Sequence, residues 1–334
     1  MTNNVEIYKR VFADEVQRIT NIFSEVLGIK NIASSDNFFK LGGDSFDAIR
    51  AISKLGNDLQ LVTFFEHPTV EDLAKFILSG QGKTQLRLVP LYDNASACGS
   101  TVVIGVPFGG GDPTAYQDLF RRNHDVRVFG VDFGDIELVK ESEFLLLINI
   151  IAAEIEKIDA KHLIIYGHCA GAATAACIAS ALEPIENHLS LIVAAAKPMD
   201  DPDAAIQEAD ATSDDSWEQF LRSIGAFSGL ESAEIHAMLS RGRRDHRIAA
   251  TAYRTLAKKP ARGVPALVLL GDEDPVTPTS HHADIIEHWR RFIDVVDSKS
   301  LAGGDHYFLS THPDEVADAV LSFEGHCLLR TPRS

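Results

Sequence analysis

The sequence has few basic residues for its length. Lysine and arginine number 31 against 48 aspartate and glutamate residues among 334, which gives a formal net charge of −17 at pH 7. Binding to nucleic acid or to an anionic membrane surface needs a basic cluster, so neither is expected as a partner. The acidic charge fits equally well a protein that docks on basic patches of partner proteins and one whose charge serves only solubility.

Cysteine is also scarce, and signals for secretion or membrane insertion are absent. The four cysteines are Cys98, Cys169, Cys177 and Cys327, without C-x-x-C spacing or a disulfide framework. No spacing of histidine and cysteine matches zinc ligation, so no metal site is predicted. The segment MTNNVEIYKR has no apolar signal region, and the apolar run 144–155 is too short for a bilayer. These absences predict a cytoplasmic protein.

The chain shows two different hydrophobic patterns, one in each part, which predict two domains. Over residues 1–80 the apolar residues recur at helical spacing, which predicts a small all-α bundle of about four helices. Residues 81–87 are polar and contain glycine, as is typical of a linker. Over residues 88–334 short β-branched runs alternate with helical patterns and predict a mostly parallel sheet covered on both faces. The strand pattern stops at about 200–262, which fits a helical lid or an ordinary helical layer.

Ser45 is the first candidate site residue. It follows the turn Leu41-Gly42-Gly43-Asp44 and opens a predicted helix, so its hydroxyl is explained locally as a helix cap. The wider pattern, with Phe38-Phe39 before the turn and Phe65-Glu66-His67-Pro68-Thr69 after it, resembles peptidyl carrier domains of nonribosomal peptide synthetases. The resemblance implies that Ser45 carries 4′-phosphopantetheine, added by a phosphopantetheinyl transferase. The segment 54–64 is shorter than this family's usual pattern.

Cys169 is the candidate nucleophile. An apolar run, Leu163-Ile164-Ile165-Tyr166, leads into Gly167-His168-Cys169-Ala170-Gly171 and then an alanine-rich helix. This pattern is a nucleophile elbow with cysteine in place of the usual serine. A buried free cysteine is the alternative interpretation, and it suits Cys177 better.

A base, an acid and an oxyanion hole complete the predicted site. His306 lies in a glycine-rich loop before the last helix and is the predicted base, in the chain order nucleophile, acid, histidine. Asp274, after the run 266–270, is the predicted acid, with Asp272 as the alternative. The predicted oxyanion donors are the backbone amides of Ala170 and of Phe108 or Gly109.

As a whole, residues 86–323 resemble the α/β-hydrolase thioesterases of nonribosomal peptide synthesis, and the segment Arg244-Asp245-His246 is similar to a recurring feature of their lid. The resemblance implies transfer of an acyl or peptidyl thioester from Ser45 to Cys169, followed by hydrolysis or cyclisation. The implied partners are upstream synthetase modules or carrier proteins. An acyltransferase between carriers and a non-catalytic scaffold are the alternatives.

Overall fold

The computed structural model describes residues 2–55, 59, 61–78, 87–93, 101–123, 125–134, 141–182, 188–226 and 232–330. The chain divides into two compact units, one built on residues 1–85 and 229–236 and one on residues 86–228 and 237–334. Residues 81–86 of the predicted linker and Cys98 lie outside the described residues, and Arg87 begins the first strand. No helix in the described ranges is long and apolar enough to cross a membrane.

The described residues of the first unit form the helices α1 (Thr2–Leu27), α2 (Ser45–Leu55), α3 (Leu61–Glu66) and α4 (Val70–Leu78). Their apolar faces pack into one core, because the apolar residues of each helix recur every three to four positions. Its fully buried members include Ile19, Phe23, Phe38, Phe64 and Leu73. The amide of Phe38 donates to the carbonyl of Pro68 at 2.8 Å, which ties the loop leading into α2 to the segment before α4.

The second unit is built on a sheet with seven strands in its described part. They are β1 (Arg87–Asp93), β2 (Thr101–Val106), β3 (Val126–Asp132), β4 (His162–His168), β5 (His188–Ala194), β6 (Ala261–Gly271) and β7 (Ile293–Leu301). The order across the sheet is β1-β3-β2-β4-β5-β6-β7, with β1 antiparallel to β3 and the other pairings parallel. The predicted mostly parallel sheet is thus confirmed.

The described helices that follow β1 are α5 (Glu141–Ile155), α6 (Gly171–Ala181), α7 (Pro202–Ala211), α8 (Asp214–Ser223), α9 (Ser232–Lys258), α10 (His282–Trp289), α11 (Phe308–Thr311) and α12 (Pro313–Arg330). Helices α5 and α6 pack on one face of the sheet, and α12 packs on the other. Val102 and Ile104 of β2 join the core that contains α5 and α6, whereas Val103 joins the core that contains α12. Burial on both faces explains why the strands read as nearly continuous apolar runs.

The helices α7, α8 and α9 lie between β5 and β6, in the segment where a lid is predicted. Arginines of α9 join the three helices to one another. Arg243 bonds Asp214 at the start of α8 at 2.8 Å, and Arg247 bonds Asp210 of α7 at 2.6 Å. The three helices of this segment therefore form one connected layer.

Candidate active site

Cys169 lies between the end of β4 and the start of α6. Its backbone has a φ of +50°, a left-handed conformation that side chains other than glycine rarely adopt. Two hydrogen bonds hold it there: the Cys169 amide donates to the Ala194 carbonyl at 2.9 Å, and the Ala172 amide donates to the Cys169 carbonyl at 3.1 Å. The Cys169 residue is partly exposed, whereas Cys177 is buried. Strain of this kind, maintained by the surrounding structure, is typical of a functional position.

The glycines of the elbow are required by close packing. A Cβ atom on Gly171 would lie 2.3 Å from the Val106 carbonyl oxygen, and one on Gly167 would lie 2.6 Å from the Ala172 Cα atom. Only glycine allows α6 to start this close to β2 and β4. The spacing Gly-x-Cys-x-Gly thus reflects the two contacts that force the sharp turn at Cys169.

Asp274 and His306 meet at the ends of β6 and β7. The Nδ1 atom of His306 lies 3.0 Å from each carboxylate oxygen of Asp274, and both residues are 1% exposed. Asp274 also accepts hydrogen bonds from the Thr277 hydroxyl at 2.7 Å and the Val276 amide at 2.8 Å. Burial raises the pKa of Asp274, but the interactions with His306, Thr277 and Val276 outweigh burial and hold the pKa below its ordinary value.

His306 also interacts with Cys169. Burial lowers the pKa of His306, but the charge of the Cys169 thiolate and hydrogen bonds to Asp274 and Cys169 outweigh it and raise the pKa to about 10. The structure thus brings together the three residues predicted as nucleophile, base and acid. The alternative acid, Asp272, is exposed and accepts instead from the Gly303 amide at 2.7 Å, where it holds the loop that precedes His306.

The predicted oxyanion loop, residues 107–111, follows β2. The Gly111 amide donates to the Phe108 carbonyl at 2.8 Å, and the Gly110 amide donates to Asp245 at 2.9 Å. In the described part of the chain the amides of Ala170, Phe108 and Gly109 donate to no acceptor. These three amides are the predicted oxyanion donors, and none of them is engaged by another described residue.

Asp245 of α9 is a site residue whose role sequence reasoning missed. It is 6% exposed and joins α9 to the loop 107–111, since its carboxylate accepts from the Gly110 amide. Within α9 it also pairs with Arg244 at 2.7 Å. Burial raises the pKa of Asp245 although Arg244 and the Gly110 amide oppose that effect. The sequence did contain a signal for this role, because Asp245 lies at helical spacing from the buried apolar residues of α9. These include Ile235, Leu239, Ala249 and Ala252. A carboxylate on an apolar helix face requires a buried partner.

In the first unit, Ser45 is the first residue of α2. Asp44 supplies the hydrogen bond that caps this helix, because its carboxylate accepts from the Asp47 amide at 2.9 Å. Asp44, and not Ser45, therefore caps α2, so capping does not explain the hydroxyl at position 45. Asp44 and Phe46 are exposed on either side of Ser45, so the start of α2 lies at the surface of its unit.

Each of the two parts of the chain matches a known protein family. Residues 17–77 match the family described as "Phosphopantetheine attachment site", and residues 91–319 match the family described as "Alpha/beta hydrolase family". The N-terminal segment is 37% identical over 79 residues to Surfactin synthase subunit 2 of Bacillus subtilis, covering 23% of this chain. It is 38% identical over 72 residues to Bacitracin synthase 1 of Bacillus licheniformis, covering 20% of this chain. These matches span 2% and 1% of the two synthetases' own length.

Solved structures resemble the second unit. The type II thioesterase of the yersiniabactin pathway superposes with a TM-score of 0.53 at 19% identity, covering 72% of this chain and 98% of that structure. A thioesterase of the prodiginine pathway in Streptomyces coelicolor gives 0.52 at 19%, covering 70% and 92%. A lipase-esterase related protein of Clostridium acetobutylicum gives 0.52 at 14%, covering 72% and 100%. At these identities the likeness shows the fold and leaves the reaction to be argued from the site.

Proposed function

The chain belongs to the alpha/beta hydrolase family, and from this premise we propose that it is a carrier-thioesterase didomain of nonribosomal peptide biosynthesis. Its N-terminal phosphopantetheine attachment domain carries covalently attached 4′-phosphopantetheine. When bound, this arm supplies a terminal thiol that holds an acyl group as a thioester. The observation that supports the proposal most strongly is the meeting of Cys169, His306 and Asp274 at a nucleophile elbow on the same chain as a carrier domain.

Ser45 is the proposed attachment residue. Its place as the first residue of α2, between the exposed Asp44 and Phe46, fits a long arm that must reach solvent and other proteins. Asp44 already caps the helix, so a modified hydroxyl at Ser45 would not cost α2 its capping hydrogen bond. The proposed partners are upstream synthetase modules or carrier proteins that supply the acyl group, and the phosphopantetheinyl transferase that modifies Ser45.

In the proposed first half-reaction His306 holds the proton of Cys169, and the Cys169 Sγ atom attacks the carbonyl carbon of the thioester. The amides of Ala170 and of Phe108 or Gly109 donate to the oxyanion that forms. The carbon–sulfur bond to the leaving thiol then breaks, and His306 returns its proton to that sulfur. Asp274 keeps the imidazole oriented and stabilises its protonated form, as the hydrogen bonds at 3.0 Å indicate.

In the second half-reaction His306 acts as a base toward the acceptor. Acylation removes the negative charge of the Cys169 thiolate, which is the largest of the effects that raise the pKa of His306. The pKa of His306 therefore falls once Cys169 is acylated, and the ring becomes able to take a proton from the acceptor. The acceptor is water, which gives hydrolysis, or an amine or hydroxyl of the acyl group itself, which gives cyclisation.

Cysteine at the elbow also favours a second candidate, an acyltransferase that moves an aminoacyl group between carrier proteins. An acyl-cysteine is a thioester, so it retains the activation of the incoming thioester, whereas serine would yield a more stable oxygen ester. Passage to the thiol of another carrier is then close to balanced in energy. The two candidate functions differ in their acceptor: the acyltransferase uses the thiol of a separate carrier, whereas the thioesterase uses water or a group of the acyl chain itself.

Intact-protein mass spectrometry tests the proposal. A phosphopantetheinyl transferase and an acyl-coenzyme A load Ser45 of the wild type, of Cys169→Ala and of the matched control Cys177→Ala, with and without a second carrier. Loss of the acyl mass with appearance of free or cyclised product in wild type and Cys177→Ala, but not in Cys169→Ala, supports the thioesterase. Reappearance of the acyl mass on the second carrier supports the acyltransferase. Equal loss in all three proteins would exclude Cys169 as the nucleophile.

A further inference from the structure

His168 lies immediately before Cys169 at the end of β4, and its side chain contacts the loop that carries His306. It is fully buried, and its Nε2 atom lies 2.8 Å from the backbone carbonyl oxygen of His306. Burial and the charge of His306 lower the pKa of His168 to about 3, so the ring is neutral at physiological pH. Because a carbonyl oxygen can only accept, the single proton of the neutral ring lies on Nε2.

The other nitrogen of this ring, Nδ1, is buried, and no donor among the described residues reaches it. Aromatic rings surround the imidazole, with the centroid of Phe308 at 5.0 Å and that of Phe108 at 6.1 Å. A phenylalanine would fill this aromatic environment without leaving an unpaired buried nitrogen, so stability alone does not explain a histidine here. The hydrogen bond to His306 is what the imidazole adds.

We propose that His168 is a positioning residue that fixes the general base: its hydrogen bond to the His306 carbonyl sets the distance between the imidazole of His306 and the sulfur of Cys169. The bond joins residues adjacent to the nucleophile and to the base across 138 positions of sequence. Asp274 holds the His306 ring from Nδ1, and His168 holds the His306 backbone. With both contacts the base has one position relative to Cys169, because His168 and Cys169 share the same peptide bond.

This inference rests on the roles proposed above for Cys169 and His306, and it predicts an effect on turnover rather than on substrate binding. Without the bond the His306 backbone loses its contact with the residue that precedes Cys169, and the base is displaced from Cys169. A displacement of about 1 Å in a reacting group costs on the order of 10²-fold in rate. Substrate affinity should change little, since the His168 side chain is fully buried beneath the site.

The test compares His168→Phe with His168→Gln in the full chain. Phenylalanine keeps the aromatic volume and removes the donor, whereas the terminal amide of glutamine can donate from about the position of Nε2. We expect His168→Phe to lower kcat for an acyl-pantetheine about 10²-fold with KM within about twofold, and His168→Gln to recover most of the loss. Wild-type kcat in His168→Phe, or equal losses in both variants, would overturn the proposal.

A second readout needs no substrate. The rate at which iodoacetamide alkylates Cys169 at neutral pH reports on the neighbouring imidazole, since the thiolate is the reacting form. His168→Phe should be alkylated more slowly than wild type, and His168→Gln at close to the wild-type rate. If no acyl group is turned over but alkylation still separates the variants, the proposed function fails while the positioning role stands; equal alkylation rates refute the positioning role.

Folding of the phenylalanine variant is checked by its thermal transition. If it does not fold, His168→Asn replaces it, because the shorter amide reaches only the region of Nδ1 and cannot bond the His306 carbonyl. Activity and alkylation retained in His168→Gln and lost in His168→Asn support the proposal. The same values in both amide variants contradict it.

Discussion

The Nδ1 atom of His306 is equidistant from the two carboxylate oxygens of Asp274, at 3.0 Å from each. Because a carboxylate only accepts hydrogen bonds, the proton of the neutral His306 ring lies on Nδ1. Nε2 is then the nitrogen that can accept a proton from Cys169. Asp272, two residues earlier on the same loop, contacts the Gly303 amide instead. Two aspartates that are nearly equivalent in sequence therefore have different partners in the structure.

Replacement of these two aspartates should separate their roles. Asp274→Asn removes the charge that stabilises protonated His306 and allows the wrong tautomer, so kcat should fall by about 10² to 10⁴-fold. Asp272→Asn, the matched control, should retain kcat within about tenfold because its amide oxygen can still accept from Gly303. Single-turnover deacylation monitored by mass spectrometry measures both. Comparable losses in the two variants would mean that Asp274 is not the acid.

Cys169→Ala should lower the pKa of His306. The folded pKa of about 10 lies above the ordinary 6.5, and the thiolate of Cys169 is the largest of the effects that raise it. Protonation of His306 therefore stabilises the folded wild type fully below pH 6.5, and this contribution is lost as the pH rises through 10. NMR titration of the His306 ring protons should show a lower midpoint in Cys169→Ala than in wild type. Unchanged midpoints would show that no thiolate lies beside His306.

Much of the second unit could be predicted from the sequence because its signals are local. The strand β4 is a continuous apolar run, and the glycines at 167 and 171 mark the sharp turn at Cys169. The choice between Asp272 and Asp274 could not be settled, because both follow β6 and only the packing of the β7 loop decides which one faces His306.

The roles of His168 and Asp245 could not be predicted for a related reason. Each makes its decisive hydrogen bond to a backbone group more than 130 positions away, at the His306 carbonyl and the Gly110 amide respectively. A backbone partner leaves no residue-specific pattern in a single sequence. In the first unit the sequence did not decide which residue caps α2, because Ser45 and the adjacent Asp44 are both good helix caps. The structure assigns the cap to Asp44.

Two neighbouring glycines of the loop 107–111 should tolerate alanine differently. Gly110 has a φ of +75°, and a Cβ atom there would lie 2.7 Å from the Met238 carbonyl oxygen of α9. Gly110→Ala should therefore destabilise the protein by at least about 1–2 kcal/mol, the cost of a left-handed conformation for alanine. A Cβ on Gly109 meets its nearest atom at 3.6 Å, an ordinary contact, so Gly109→Ala should unfold at close to the wild-type temperature. Thermal unfolding measures both, and equal shifts would contradict the contact between this loop and α9.

Asp132, the last residue of β3, should make stability depend on pH. It is 4% exposed, and burial raises its pKa from 3.8 to about 6 although the Gly134 amide and Arg87 oppose that effect. Because the folded pKa is the higher one, the folded state binds a proton more tightly than the unfolded chain. The stabilisation from the protonated carboxyl is present below about pH 4 and is lost as the pH rises through about 6.

Asp132→Asn should remove this dependence, since the amide stays neutral and its oxygen can still accept from the Gly134 amide. At pH 7 the variant should be more stable than wild type by on the order of 2–3 kcal/mol, the equivalent of two pKa units, reduced by the lost contact with Arg87. The exposed Asp297→Asn controls for the change in net charge. Unfolding temperatures measured between about pH 4 and pH 7 should rise relative to wild type only for Asp132→Asn, and most at the upper end. Parallel curves for wild type and Asp132→Asn would show that Asp132 ionises freely, and that burial at the end of β3 is offset by its hydrogen bonds.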